Sequence, residues 1–137
     1  HEAKSLADRL LVTNDTDTRQ ELSQKLLEEL NKLAGIAGVN VKISDALQKS
    51  KRRNGRLVFK QYGYYKPAAK YIYITNRTAV RAKLLAPKTF LNTLLHEWMH
   101  HYDGEKLGLR SIHSAGFYTR IKDIKEKLIS GQKTGIV

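Results

Sequence analysis

Leu22, Leu26, Leu30 and Leu33 recur at the spacing of one helix face through DTRQELSQKLLEELNKLA, with Leu27 and Ala34 widening the stripe. This predicts an amphipathic helix over 17–34. Asp17 or Thr18 can cap its start, and Gly35 and Gly38 end it. Val39, Val41 and Ile43 then alternate with polar residues, which predicts a strand over 39–44. Lys51 to Gly55 forms a basic turn, Arg56 to Tyr62 a second strand and Tyr71 to Thr75 a third. The link GYYKPAAK, with Gly63 and Pro67, suits a turn or an edge. After Pro87 the helical period returns, over 89–107 and again over 114–129, where Phe117, Ile121, Ile124 and Leu128 share one stripe. The pattern leaves open whether residues 3–12 form a short helix. The order of elements implies an α+β fold: an N-terminal helix, a three-stranded antiparallel meander and two helices.

The chain has 137 residues. That fits one domain with a core over about 17–129 and flanks at 1–16 and 130–137. GQKTGIV at its close reads as a tail. A chain opening on His1 rather than Met reads as a trimmed product or a fragment, so His1 carries no chemical argument. HEAKSLADRLLVTNDTD lacks the apolar core and cleavage site of a signal peptide. No stretch approaches the roughly 18 apolar residues of a membrane span. There is no cysteine, which excludes disulfides and thiolate zinc sites. Any metal must be held by His, Asp or Glu.

The net charge of +12 changes the picture because it is segregated. Between Asp45 and Glu97 there is no acidic residue but twelve basic ones, and the rest of the chain balances thirteen of each sign. A polyanionic partner explains such segregation, whereas solubility alone does not require it. Lys49, Lys51, Arg52, Arg53, Arg56 and Lys60 form the densest patch. Tyr62, Tyr64, Tyr65, Tyr71 and Tyr73 follow them, and their rings can stack on unpaired bases. The plain alternative is a solvated basic face with tyrosines in the sheet core. No helix-turn-helix or zinc-finger spacing is present, so contact without sequence preference is expected.

Four of the five histidines lie within LLHEWMHHYDGEKLGLRSIHSAGF, residues 94–117. On a helical wheel with His96 at 0°, His100 falls at about 40° and Glu97 at about 100°, while Leu91, Leu94, Leu95, Trp98, Met99 and Tyr102 fill the opposite arc. Trp98 and Met99 are therefore expected in the core. One turn separates the two histidines, so both imidazoles can reach one ion, and Glu97 suits the general base for an attacking water. A catalytic zinc needs a third protein ligand. Lys106 stands where the metzincin pattern needs His or Asp, and Glu105 follows His100 too closely. His113, in a turn before the last helix, is the choice. His101 is expected to be an inert surface residue. Asp103 and Glu105 can support a ligand imidazole, but solvation of the helix end is the simpler role. Tyr102, Tyr118 and Arg120 remain open as oxyanion donors. YIYIT is the candidate edge for an extended substrate, or else an ordinary core strand.

NTLLHEWMHHYD followed by HSAGF resembles the SprT-like metallopeptidases, the group that includes the Spartan proteases. They share an apolar run, His-Glu-x-x-His, a variable spacer, and a histidine with phenylalanine four residues on. His113 and Phe117 match that offset, and Ser114 replaces the family's usual Gly, where it can cap the next helix. The resemblance follows element order over most of 17–129, but its specific motif spans only 91–117. It implies a zincin-like minimal protease core with zinc on His96, His100 and His113 and with Glu97 catalytic. It also implies a substrate among proteins on DNA, including covalently trapped ones. The expected partners are then a protein or peptide substrate and DNA, single-stranded or unspecific. A monomer in the cytoplasm, associated with DNA and not with membrane, is the matching expectation. Two other readings stay open. One is a nucleic-acid-binding module whose zinc is structural, and the other is a general small peptidase with an incidental basic surface.

Overall fold

The computed structural model describes residues 2–47, 50–53, 56–60, 62–77, 83–108 and 113–129, with residues 46–60 by their backbone only. In chain order these are α1 (Glu2–Leu10), α2 (Thr16–Ala34), β1 (Asn40–Leu47), β2 (Ser50–Arg53), β3 (Arg56–Lys60), β4 (Gly63–Lys66), β5 (Tyr71–Arg77), α3 (Pro87–Leu107) and α4 (Ala115–Ile129). The α+β class holds. Residues 2–10, expected outside the core, instead supply part of it. Ala3, Leu6, Ala7 and Leu10 of α1 are all buried, at the spacing of one helix face.

Helix α2 starts at Thr16, one residue before the expected 17. Asp15, not Asp17 or Thr18, is the cap, and its carboxylate accepts the Thr18 amide at 2.8 Å. Gly35 ends the helix at φ 69°, a left-handed conformation that glycine adopts without a Cβ clash.

The meander is the main correction. The three-stranded sheet has the order β1-β5-β4 and is mixed. β1 runs parallel to β5, and β4 antiparallel to it. The basic segment forms a separate antiparallel hairpin, β2 with β3. A parallel pair needs a long crossover between its strands, and the hairpin and β4 occupy that crossover. YIYIT is therefore the central strand, which removes it as a substrate edge; Ile72 and Ile74 are fully buried.

The two outer strands meet different surroundings. On β1, Val41 and Ile43 face the core as the alternation predicts, and Val39 is buried just before the strand. Two glutamines one turn apart on α2 bond the β1 backbone. Gln20 bridges the Val41 carbonyl and the Ile43 amide, both at 2.8 Å, and Gln24 accepts the Val41 amide at 3.1 Å. β4 ends the other side of the sheet and lies against α3. A Cβ on Gly63 would come within 2.7 Å of the Tyr73 carbonyl and 3.4 Å of the Thr93 methyl on α3, so a side chain there has no room.

Beneath the sheet, Phe90, Leu91, Leu94 and Leu95 of α3 and Phe117 of α4 are fully buried. Trp98 and Met99 are core residues as expected, each 3% exposed, and the Trp98 indole donates to Asn31 at 2.8 Å. Arg19 departs from the solvated role its charge suggests. It is fully buried over the Phe90 ring and donates to Asn76 at 2.6 Å and to the Thr13 carbonyl at 3.1 Å. Among the described residues no helix is long and apolar enough to cross a membrane.

Candidate metal centre

The apolar arc of α3 fixes the helix against the core, and this turns His96 and His100 to its other side, where α4 begins. Ser114 caps α4: its Oγ accepts the Phe117 amide at 3.2 Å, the role expected of it. The residue before that cap is His113. The chain thus delivers His113 at the bend, over the two histidines of α3.

Three ring nitrogens converge. His113 Nε2 lies 3.1 Å from His96 Nε2 and 3.2 Å from His100 Nε2. One ligand atom from each residue lies within 4.8 Å of the others, and the group could hold a metal ion. The single Nε2 of His113 carries either one N–H or one lone pair, so in neither tautomer does it form two well-directed hydrogen bonds to its neighbours. A cation accepts all three lone pairs at once. Nitrogens about 2.0–2.1 Å from one tetrahedral zinc stand roughly 3.3 Å apart, close to the two short separations here.

The electrostatics favour the lone-pair form. Burial, then the neighbouring histidines, pushes His100 down to about 4. Burial also lowers His96, helped by His113 and by Lys125. Neutral imidazoles are the form that binds metal. Glu97 follows His96 around the helix and is 8% exposed. Burial raises its carboxyl to about 7, which suits a group that accepts and returns a proton near neutrality.

Phe117 is the floor of the site. Its ring stacks on His100 at 4.5 Å between centroids and meets His96 and His113 edgewise at 5.1 and 5.3 Å. The sequence marks this residue as part of the α4 stripe and as an offset in the resemblance; contact with all three rings gives it a role at the site.

Two expectations near the site need correction. His101 is not a surface residue. It is fully buried, with Nε2 2.7 Å from the Ala37 carbonyl and Nδ1 2.8 Å from the Tyr65 hydroxyl. A carbonyl can only accept, so the proton sits on Nε2 and Tyr65 donates to Nδ1. Asp103 does not solvate the helix end. It is 1% exposed and forms a two-pronged pair with Arg120, at 2.7 and 2.6 Å. Glu105 pairs with Lys70 at 3.7 Å. The pair with Asp103 occupies Arg120, and Tyr102 packs on Trp98 on the apolar side of α3. Of the three oxyanion candidates, Tyr118 is the one beside the triad, its ring 6.0 Å from that of His113.

The residues expected to meet nucleic acid are less fully described. Lys49 lies outside the described residues. Lys51, Arg52 and Arg53 are on β2, and Arg56 and Lys60 on β3, with Arg53 opposite Arg56 in the register. The tyrosines divide. Tyr65 turns inward to His101 and Tyr62 packs against the core. Tyr64 and Tyr73 stack on each other at 5.2 Å, with the Lys66 ammonium 5.5 Å from the Tyr64 ring and exposed Lys42 opposite Tyr73.

The chain matches no protein-family model, no curated protein and no solved structure.

Proposed function

We propose that this protein is a zinc-dependent endopeptidase acting on DNA-associated or DNA-crosslinked proteins. The observation that carries the reading is the convergence of His96, His100 and His113 through their Nε2 atoms, on a helix that carries the buried Glu97 directly after His96. Nitrogen-only ligation by three histidines, in a chain without cysteine, suits zinc with a fourth position left for water. Bound there, zinc supplies Lewis acidity, lowering the pKa of a water toward about 7 and polarising a carbonyl.

The chain's own residues do the rest. Glu97 accepts a proton as water attacks the scissile carbonyl, then passes it to the leaving amine. Its low exposure keeps bulk water from competing for that proton. Glu97 acts in its ionised form, which a cation held by the three histidines would favour. Tyr118 is the side chain placed to donate to the developing oxyanion. With β5 central and the β1 backbone held by Gln20 and Gln24, β4 is the strand along which an extended substrate would add.

The nucleic-acid part rests on the acid-free segment 46–96 and on the Tyr64–Tyr73 stack with its lysines. Such a surface binds phosphates without reading sequence, so affinity should fall steeply with salt.

Digestion of a DNA-binding protein with and without single-stranded DNA, by wild type and by Glu97→Gln, tests the reading. Zinc retained in both proteins, with cleavage only by wild type and faster with DNA, is the expected result. Zinc binding without cleavage under any condition would leave a nucleic-acid-binding module with a structural metal. Cleavage indifferent to DNA would leave a general peptidase.

A further inference from the structure

Beside the triad, between the start of α3 and the length of α4, lies a groove of about 860 Å³. Three features set it next to the triad. Asn92 in its wall stands one helical turn before His96. The ring of Tyr118 in its wall lies 6.0 Å from that of His113 between centroids. Lys125 in its wall is close enough to His96 to disfavour that imidazole's charged form.

The lining has two parts. Pro87 and Ile121 belong to an apolar wall, and Lys88, Lys122 and Lys125 bring three ammonium groups against one carboxylate, Glu126. Lys88 and Lys122 are exposed, while Lys125 is partly buried. Burial and the facing Lys88 both weigh against the charge of Lys125. Like charges gathered in a concave, half-apolar space are relieved by an anion that brings its own apolar stem. A phosphate backbone has no such stem and needs no apolar wall, so the groove fits a substrate side chain better than nucleic acid.

We infer that this groove is the specificity subsite of the peptidase, taking a carboxylate on an aliphatic stem at one fixed position from the scissile bond, with Lys88 and Lys125 as its anion partners. The inference rests on the peptidase reading and names the substrate class for that site. Two sources carry the required group: a Glu or Asp side chain, and the α-carboxylate of a chain that ends in the groove.

Cut sites in an unfolded protein substrate, mapped by mass spectrometry for zinc-loaded wild type and for Lys88→Glu/Lys125→Glu, provide the test. Glu and Asp should be enriched at one position in the wild-type cuts. The preference between Glu and Lys there should fall by about tenfold or more in the charge-reversed protein. A pair of peptides with free and amidated C-termini separates the two carboxylate sources. Should charge reversal impair folding, Lys88→Gln/Lys125→Gln keeps similar side-chain size and should flatten the preference without inverting it. Circular dichroism and zinc content verify each fold.

Abundant cleavage with no acidic preference, or with a preference untouched by both variants, overturns the subsite and leaves the peptidase standing. No cleavage at all by zinc-loaded wild type overturns the peptidase and the subsite with it. Variants that lose DNA affinity yet keep the wild-type cut pattern assign the lysines to nucleic acid, which also overturns the proposal.

Discussion

His100 and His101 are neighbours on α3, yet the two faces they occupy treat an imidazole in opposite ways. On the β4 side, both nitrogens of His101 have protein partners of the right polarity, a carbonyl for the N–H and a hydroxyl for the lone pair. On the α4 side, the Nε2 atoms of His96, His100 and His113 have one another. Burial lowers the pKa of His96, His100 and His101. Burial and neutrality therefore do not distinguish a ligand from a structural histidine; the partners of its nitrogens do. His101 ties α3 to β4 and to the Ala37 loop, which holds the helix still while its other face presents lone pairs.

The sharpest way to break this contrast is to exchange the roles. His113→Ala should weaken zinc binding by roughly a hundredfold to a thousandfold, measured by competition with a chromophoric chelator. His101→Ala should leave one zinc per chain. Comparable losses from both would erase the distinction.

Glu97 provides the next largest effect, and its sign is fixed. Its ordinary value is 4.5 and burial lifts it to about 7. The unfolded chain therefore ionises first, and the metal-free protein loses stability as pH rises through that window. Glu97→Gln has no such loss, while the histidines contribute equally to both proteins. The metal-free variant should gain about 3 kcal/mol on wild type above pH 7, with almost no gain near pH 4.5. Denaturant melts at the two pH values check this, and a pH-independent difference would contradict it.

For His101→Ala, the expected stability cost is about 2–3 kcal/mol, since the Ala37 carbonyl and Tyr65 hydroxyl lose their partner. Urea unfolding of the zinc-loaded and metal-free forms should show similar costs. A cost seen only with zinc would place His101 in the metal centre after all.

The smallest effect belongs to the floor of the site. Phe117→Leu keeps an apolar residue but loses the flat surface under three rings, so zinc affinity should fall about tenfold. No change would mean that α3 alone orients the imidazoles.

What could be read from the chain follows the range of each signal. The stripes of α2 and α4, and the Val39-Val41-Ile43 alternation, are local, and burial follows them. Convergence of His113 on the α3 pair was also legible, because one turn and a short bend constrain it. Pairing partners were not. Nothing in Val41 or Ile74 tells a parallel neighbour from an antiparallel one, so strand order alone suggests a meander. GYYK reads as a link because Gly63 and Pro67 are turn residues, but Gly63 is there because β4 brings its Cα too close to the Tyr73 carbonyl for a Cβ. Asp103 and Arg120, seventeen positions apart, look solvated singly and are an ion pair together. His101 falls between the two arcs of its helix, so periodicity could not place it.

X-ray absorption at the zinc edge of the purified protein tests the central claim most directly. The account predicts one zinc per chain with three imidazole nitrogens and one oxygen near 2.0 Å, and one nitrogen fewer, or no zinc, in His113→Ala. A protein that takes up no zinc, or a nitrogen shell unchanged by His113→Ala, would contradict it.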